Sequence, residues 1–291
     1  MSQRIVVPPI KSQGIKTKLI PFISTLVPSS QSGRWIEPFM GTGVVGFNLA
    51  DGPALMSDTN PHLVRFYDAI KSGDITGGIA REFLSVEGDR LQRSGGAYYY
   101  EVRARFNADA NPLDFLFLTR ACFNGVMRFN RSGHFNVPFC KKPARFSQAY
   151  VTKIVNQVDA VSQVVRSGHF DFRVSNFRRI LDEARSGDLI YCDPPYIARH
   201  ADYFNSWSED DERALADGLR MTSASFILST WSHNDYRMND YIDSFWGDFP
   251  RITREHFYHV GARESNRRGI TEALVFSSDL DPREFVPSSA G

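Results

Sequence analysis

The chain has 291 residues and a formal net charge of +1 at pH 7, with 42% hydrophobic and 23% charged residues. This length allows one large domain or two with a substantial core, and the composition excludes disordered and collagen-like classes. Since no apolar run approaches the length of a membrane span and no signal-peptide pattern follows Met1, we expect a cytoplasmic protein with no membrane partner.

The N-terminal region predicts a helix and then a glycine-rich loop between a strand and a second helix. Residues 17–27 have the apolar spacing of an amphipathic helix. Residues 34–39 are typical of a strand with an acidic exit, and residues 44–50 of a helix. Gly41 and Gly43, between these two elements, permit a tight turn and close approach of a ligand, which the helix N-terminus would face.

This glycine loop differs from the common nucleotide fingerprints. It is neither a dinucleotide G-x-G-x-x-G after a plain strand nor a P-loop, and the absence of Gly-Lys-Ser/Thr disfavours phosphoryl transfer. The next strand, residues 55–58, ends at Asp58, whose carboxylate could accept hydrogen bonds from a ribose by analogy with dinucleotide sites.

The middle of the chain predicts a helical region followed by a hairpin. Residues 61–114 show helical stretches separated by glycines, and residues 113–119 continue as a buried helix. Residues 130–133 have the composition of a turn between two short β segments.

No Asp or Glu occurs from Phe115 through Val158. Phenylalanines are interleaved with the Lys and Arg residues of this stretch. Such a pattern suits a surface that faces nucleic-acid phosphates, because Lys and Arg release counterions there. A solvated basic face over a small aromatic core is the alternative. The basic residues are Arg120, Arg128, Arg131, Lys141, Lys142, Arg145 and Lys153.

From residue 148 onward, helices and strands alternate, which predicts a Rossmann-like sheet. Ser208 followed by Asp211 resembles a capping box at the start of one helix. The predicted helices are residues 148–166, 177–186 and 209–220, and the predicted strands are residues 170–174, 188–192, 225–230, 254–260 and 272–278.

The sequence predicts no metal site. Cys122, Cys140 and Cys192 are odd in number and lack metal-ligand spacing, which favours a reduced compartment. His256 and His259 are close in sequence, but no cysteine or carboxylate lies at ligand spacing from them.

Asp193-Pro194-Pro195-Tyr196 follows the predicted strand of residues 188–192. Because prolines lack an N–H and restrict φ, this tetrapeptide predicts a rigid elbow. In an open α/β sheet, ligands bind beyond the carboxyl ends of strands. The Asp193 carboxylate and the Pro194 carbonyl beside an aromatic ring would suit a flat group with an NH₂, such as adenine. An ordinary Pro-Pro turn with a capping Asp is the alternative for the tetrapeptide alone.

Four segments together resemble a known family: residues 9–16, 37–43, 120–139 and 193–196. The third is the most specific, with Phe123-Asn124-Gly125, Arg128-Phe129-Asn130 and Gly133-His134-Phe135-Asn136-Val137-Pro138-Phe139. On these segments the chain resembles the Dam-like (α-group, GATC-type) DNA adenine-N6 methyltransferases over nearly its full length.

The resemblance implies an α/β fold, a Rossmann-like S-adenosylmethionine-dependent methyltransferase sheet with an inserted helical and β-hairpin target-recognition domain. We expect a discontinuous catalytic S-adenosylmethionine-binding domain over residues 1–60 and 148–281. The target-recognition DNA-binding domain would span residues 61–147, with a C-terminal tail at residues 282–291. The implied reaction transfers a methyl group from S-adenosyl-L-methionine to N6 of a flipped-out adenine in duplex DNA.

The resemblance also implies catalytic and cofactor-binding residues. Asp193 and the Pro194 carbonyl would accept hydrogen bonds from N6, on an elbow that Pro195 stiffens, and Tyr196 would stack on the flipped base. Lys16 would neutralise the methionine carboxylate. The implied cofactor-binding residues are Lys11, Lys16, Glu37, Pro38, Phe39, Gly41, Gly43, Asp58, Asn176, Phe177 and Asp193, with Asn176 standing where the family usually has Asp.

For target reading, Arg128 resembles the family arginine that recognises the guanine next to the methylated adenine. This predicts a palindrome containing GA-T, with GATC the leading candidate. Phe123 would wedge into the base stack, with core packing as the alternative. The implied DNA-binding residues are Arg120, Phe123, Asn124, Arg128, Asn130, Arg131, Asn136, Lys141 and Lys142.

Other functions remain as alternatives to this interpretation. An RNA or protein N-methyltransferase would keep the elbow but lack the hairpin motif, and a non-catalytic DNA-binding module would not need the glycine loop and the elbow together. We expect a monomer that acts on double-stranded DNA in the bacterial cytoplasm or nucleoid, or a phage-encoded protein. A cognate restriction endonuclease acting on the same site is a candidate partner.

Overall fold

The computed structural model describes residues 4–197, 207–234, 237–259 and 267–283, and the predicted C-terminal tail lies outside them from residue 284. Seven strands form one mixed sheet, and a short eighth strand pairs with one of them. The strands are β1 (Trp35–Glu37), β2 (Ala54–Asp58), β3 (Phe170–Val174), β4 (Leu189–Cys192), β5 (Ser225–Asn234), β6 (Arg237–Met238), β7 (Arg251–His259) and β8 (Arg267–Phe276).

The strand order is β3-β2-β1-β4-β5-β8-β7, with β6 on β5. The first five strands in this order run parallel, and β8 is antiparallel to both β5 and β7. Strands β1, β2 and β4 are buried at every position, as expected for a sheet covered on both faces. Because β1 lies between β2 and β4, the segments that follow these three strands are neighbours at one edge of the sheet.

Helices cover both faces of the sheet. They are α1 (Ile20–Ile23), α2 (Gly46–Leu49), α3 (Pro61–Ser72), α4 (Gly77–Arg93), α5 (Tyr98–Asp109), α6 (Pro112–Ala121), α7 (Gln148–Ser167), α8 (Phe177–Asp182), α9 (Glu209–Met221) and α10 (Asp240–Trp246). Trp35 belongs to a large apolar cluster with α3 to α7, and Ile36 to a smaller one with α8 to α10. Since neighbouring strand residues point to opposite faces, each cluster fills one face. Across the described ranges, no helix has the length and apolar character needed to cross a membrane.

The predicted helical region between β2 and β3 is confirmed as α3 to α6. Side chains of Asn60, Thr76 and Asn111 accept hydrogen bonds from backbone N–H groups in the first turns of α3, α4 and α6. Pro61 and Pro112 follow two of these caps, at positions where the helix needs no N–H. The long helix α7 then packs against α3 and α4 and returns the chain to β3.

Some predicted boundaries are wrong. The helix predicted at residues 17–27 is a 3-10 turn followed by the four-residue α1. It ends early because the hydroxyls of Ser24 and Thr25 bond back to backbone carbonyls. The helix predicted at residues 177–186 ends at Asp182. The capping box of α9 is confirmed, with Ser208 and Asp211 each bonded to the other's backbone N–H.

The hairpin predicted around the turn at residues 130–133 spans residues 122–140 and closes through isolated bridges rather than regular strands. Cys122 pairs with Phe139, and Phe129 pairs with Phe135. At the tip, Oδ1 of Asn130 accepts hydrogen bonds from two backbone N–H groups of the turn. Buried and exposed residues alternate along both arms, as in a half-buried β ribbon. The inward residues are Phe129, Phe135, Val137 and Phe139, and the exposed ones are Arg128, Asn130, His134 and Pro138.

Tyr67 on α3 joins the helical region to the glycine loop, since its buried hydroxyl donates to the Thr42 carbonyl at 2.5 Å. Tyr67→Phe leaves that carbonyl without this donor, so we expect the free energy of unfolding to fall by about 1–3 kcal/mol. Tyr241→Phe, which removes a surface hydrogen bond to Glu209, is the matched control and should cost less than about 0.5 kcal/mol. Urea denaturation measures both, and equal losses would contradict the expected effect of burial.

Candidate active site

The elbow Asp193-Pro194-Pro195-Tyr196 follows β4 and rests on a buried lysine. Nζ of Lys16 lies 3.1 Å from Oδ1 of Asp193 and donates a hydrogen bond to the Tyr196 hydroxyl at 3.1 Å. Lys16 is 4% exposed, whereas the Asp193 side chain is 24% exposed. The Asp193 carboxylate is therefore held by the protein and still accessible to a ligand.

A second carboxylate, that of Glu272 on β8, completes this group. Its Oε2 lies 3.8 Å from Nζ of Lys16 and accepts a hydrogen bond from the Tyr196 hydroxyl at 3.5 Å. Glu272 is buried. We call Lys16, Asp193, Tyr196 and Glu272 the Lys16 cluster. Glu272 was not predicted as a site residue. Its position as an acidic residue at the start of a predicted apolar strand could have indicated a buried functional carboxylate.

The environment of the Lys16 cluster shifts its acid–base behaviour. Burial raises the pKa of Asp193 to about 6, while the Lys16 ammonium lowers that pKa and the Glu272 carboxylate raises it. Burial also raises the pKa of Tyr196 above its ordinary value, so its hydroxyl stays protonated. At neutral pH Asp193 is mostly ionised and can accept hydrogen bonds from an amine.

The glycine loop after β1 is held by Asp58 at the end of β2. Gly41 has a φ of 50°, and its N–H donates to Oδ2 of Asp58 at 3.0 Å. The other oxygen of Asp58 accepts a hydrogen bond from the N–H of Asn60 at 2.8 Å. A Cβ added at Gly41 would meet no atom within 4 Å. The loop therefore presents bare backbone to open space beside a carboxylate, which fits a ligand that carries a ribose.

Glu37, predicted as a cofactor ligand, is a buried residue whose carboxylate is bonded within the protein. Glu37 is 2% exposed, and its Oε2 accepts hydrogen bonds from Nε1 of Trp35 at 3.1 Å and from the N–H of Gly46 at 2.9 Å. A Cβ at Gly46 would lie 2.7 Å from that oxygen, so a larger residue there would displace the carboxylate. Burial raises the pKa of Glu37 well above its usual range. Glu37 therefore braces the start of α2 against β1, beside the buried Pro38.

Three aromatic rings meet at the same edge of the sheet. The ring centroids of Phe39 and Phe177 are 5.4 Å apart, and Trp207 lies 5.4 Å from Phe39 and 5.3 Å from Phe177. Oε2 of Glu212 fixes Trp207 by accepting a hydrogen bond from its Nε1 at 2.6 Å. Such a surface fits a flat heterocycle. Trp207 was not predicted as a site residue. Its position directly before the capping box of α9 could have indicated that the ring lies at the start of a helix near the site.

Asn176 begins α8 as its N-cap. Its Oδ1 accepts a hydrogen bond from the N–H of Arg178 at 3.0 Å. Since Asn and Asp are comparable N-caps, the departure from the family pattern preserves the local structure. The same oxygen keeps a second lone pair for the predicted bond from a cofactor amine.

The exposed face of the hairpin holds the residues predicted to read DNA. Phe123 is 52% exposed, so the alternative of core packing is wrong. Asn124 follows with a φ of 54°, a conformation that Asn tolerates. Arg128 is exposed, and its Nε donates to Oδ1 of Asn136 at 2.8 Å. This bond orients the guanidinium and leaves other N–H groups for a ligand. Arg131, Lys141 and Lys142 are also exposed.

Of two further predicted ligand residues, Arg120 lies in the core and Lys11 lies at the surface. Arg120 on α6 is 6% exposed, and its guanidinium donates to Oε1 of Gln157 at 2.5 Å and to the Pro9 carbonyl. It is therefore part of the core rather than a DNA contact, because a buried guanidinium needs partners for its donors. Lys11, predicted at the cofactor, is exposed and lies with its stem against Gly125, next to Phe123 and Asn124.

No metal-binding group of three or more His, Cys, Asp or Glu occurs within residues 4–197, 207–234, 237–259 and 267–283. The side chains of His256 and His259 lie outside the described residues.

The sequence of the chain is similar to those of several known proteins. Residues 12–260 match the model of the D12 class N6 adenine-specific DNA methyltransferases. A retron Ec67 DNA adenine methylase from Escherichia coli is 27% identical over 97% of this chain and 96% of its own length. A DNA adenine methylase from Vibrio cholerae is 31% identical over 77% of this chain and 80% of its own length. A type II methyltransferase from Lactococcus lactis is 25% identical over 91% and 93%.

Proposed function

This chain belongs to the D12 class of N6 adenine-specific DNA methyltransferases, and we propose that the Lys16 cluster is its catalytic centre. It is a DNA adenine methylase, and the alternatives of an RNA or protein methyltransferase and of a non-catalytic module are thereby set aside. The observation that carries the assignment of the centre is the Asp193 carboxylate, which is held by Lys16 at the end of β4 and is still accessible.

The family uses S-adenosyl-L-methionine, and the residues at the sheet edge fit this cofactor. The backbone at Gly41 opens onto free space, and Asp58 offers carboxylate oxygens to the ribose hydroxyls. The rings of Phe39, Phe177 and Trp207 offer an apolar surface to its adenine. Lys16 would also meet the methionine carboxylate. When bound, the cofactor supplies an electrophilic methyl group on a sulfonium.

Asp193 and the Pro194 carbonyl act on the target amine. In the proposed mechanism they accept hydrogen bonds from the two N6 hydrogens and so orient the nitrogen lone pair. These bonds strengthen as N6 becomes positive, which stabilises the transition state more than the ground state. Asp193 then takes a proton from the methylated nitrogen and passes it to solvent. A pKa of about 6 keeps the carboxylate ionised at neutral pH while allowing this transfer.

The target adenine has to leave the duplex, because its N6 is paired inside the stack. Exposed Phe123 is the residue that we propose fills the gap, with Asn124 beside it. Tyr196 would stack on the extruded base. Its hydroxyl is already tied to Lys16 and Glu272, so the ring orientation is set before DNA binds.

We assign the reading of DNA sequence to the hairpin and the binding of phosphates to its surroundings. Arg128 would contact O6 and N7 of a guanine immediately 5′ of the adenine, within a GA-T palindrome such as GATC. Lys141, Lys142 and the exposed Lys11 would contact phosphates. In functional terms, residues 61–147 form the target-recognition domain, and residues 1–60 and 148–281 form the catalytic domain.

The physiological setting that we propose is bacterial or phage DNA, methylated by a monomeric enzyme in the cytoplasm. The relative from Lactococcus lactis is named a type II methyltransferase. This supports a setting in which a restriction endonuclease cleaves the same site.

The catalytic proposal is tested by Asp193→Asn, which keeps the shape of the side chain and removes its charge. We expect the rate of methyl transfer to duplex DNA to fall by about a hundredfold or more, because the bond that strengthens in the transition state is weakened. Affinity for S-adenosylmethionine should change by less than about threefold. Exposed Asp89→Asn is the matched control.

The same assay has a pH dependence. The wild-type rate should fall as the pH drops through about 6, since protonated Asp193 is a weaker acceptor. Single-turnover transfer of tritiated methyl groups between pH 5 and 8 measures both effects, and an Asn variant within threefold of the wild type would rule out the role of Asp193.

A second test concerns the phosphate surface. Replacing both Lys141 and Lys142 by Ala should reduce the slope of log affinity against log salt by about 2, since each phosphate contact contributes about 0.9. Site preference should not change. Lys71→Ala on α3 is the control and should leave the slope unaltered. Fluorescence anisotropy between 50 and 300 mM salt gives the slopes, and an unchanged slope in the double variant would remove these lysines from the surface.

The third test concerns specificity. Wild-type enzyme should methylate adenine preceded by guanine far faster than adenine preceded by adenine. Arg128→Ala should lose about 1–3 kcal/mol of this discrimination, because adenine has an N6-H₂ donor in place of the O6 acceptor. Arg131→Ala, at the hairpin tip, should keep the preference for guanine. Matched oligonucleotides that differ at that one base decide the question, and equal wild-type rates on both would contradict the assignment.

A further inference from the structure

Glu272 is a buried carboxylate to which the proposed mechanism gives no contact with the target amine or the cofactor. It lies on β8, opposite Trp231 on β5, and β5 is the neighbour of β4, which carries the elbow. The side chain is 1% exposed. A carboxylate buried in this way is costly unless it is paired with a cation or with strong donors. Two of its partners are Lys16 and Tyr196, which contact or flank Asp193, and Arg254 of β7 lies opposite Glu272 in the sheet.

Two carboxylates, those of Asp193 and Glu272, share the ammonium of Lys16. Nζ lies 3.1 Å from Asp193 and 3.8 Å from Glu272, and it also donates to the Tyr196 hydroxyl. Two carboxylates and one ammonium give these three groups a net charge of −1. Carboxylate charge near the target nitrogen favours the positive charge that develops on it.

We propose that Glu272 is a positioning residue for methyl transfer, which shares the Lys16 ammonium and the Tyr196 hydroxyl and so keeps the Asp193 carboxylate available to the target amine. This inference rests on the proposed role of Asp193. With a neutral side chain at position 272, the Lys16 ammonium forms a stronger ion pair with Asp193. The ammonium then competes with the N6 hydrogens for the same oxygens, and the Tyr196 ring loses one of its anchors.

The proposed role of Glu272 predicts a change in how the rate of methyl transfer depends on pH. The negative charge of Glu272 raises the pKa of Asp193, so its removal lowers that pKa. Activity that needs ionised Asp193 then persists to lower pH, although the maximal rate is smaller. The titratable groups that interact with Asp193 include Lys16 from the N-terminal segment, Glu272 from β8, Tyr196 from the elbow, Tyr191 and Cys192 from β4, and Glu37 from β1. Arg254 of β7 is the charged residue opposite Glu272 in the sheet.

The test compares Glu272→Gln, which is isosteric and uncharged, with the wild type in full-length enzyme and duplex DNA. We expect kcat to fall by about tenfold or more, while the KM for DNA changes by less than about threefold. The acidic limb of the pH profile of kcat should move below its wild-type position. Glu272→Asp, which restores the charge, should return the limb toward that position. Glu255→Gln, at an exposed glutamate of the adjacent strand β7, should change neither quantity.

Two results would overturn the inference. One is a Gln variant with kcat within twofold of the wild type. The other is a Gln variant with reduced kcat and an unmoved acidic limb, which would mean that Glu272 supports folding alone. Failure of the proposed function is recognised separately, by a wild-type enzyme that does not methylate DNA or by a fully active Asp193→Asn variant.

Discussion

A single buried ammonium, that of Lys16, organises this protein. An unpaired ammonium in the interior would be destabilising by several kcal/mol, so the fold has to bring anionic partners to it. Those partners come from the elbow after β4 and from β8, far apart in sequence. The antiparallel strand β8 beside β5 is therefore more than an extension of the sheet. It delivers the second carboxylate to the place where the parallel strands present their ligand-binding loops.

The same N-terminal segment that carries Lys16 also contacts α6 and the start of the hairpin. Arg120 at the end of α6 bonds to the Pro9 carbonyl, and the stem of Lys11 covers Gly125 beside Phe123. One short segment thus contacts the base of the hairpin at its start and the elbow at its end. This segment therefore connects the hairpin physically to the residues that hold Asp193.

Local patterns in the sequence predicted the elements that depend on local chemistry. The proline elbow, the glycine loop and the capping box of α9 were all predicted from a few consecutive residues. Pairings over long separations could not be predicted in this way. Glu272 is placed beside Lys16 by the strand order of the sheet. Trp207 is placed by its hydrogen bond to Glu212. Neither relation follows from a periodic pattern in the sequence. The helix predicted at residues 17–27 failed because its apolar spacing is equally satisfied by two short turns.

The acid-free stretch, residues 115–158, contributes side chains both to the core and to the surface. Arg120 and most of its phenylalanines, with the exception of Phe123, lie inside, and its outward charge comes from residues such as Arg128. An acid beside that guanidinium would hold it through a charge-assisted bond and compete with guanine. Asn136 accepts from Nε of Arg128 without neutralising it. A neutral brace orients the arginine and leaves its positive charge available for the guanine contact that we propose.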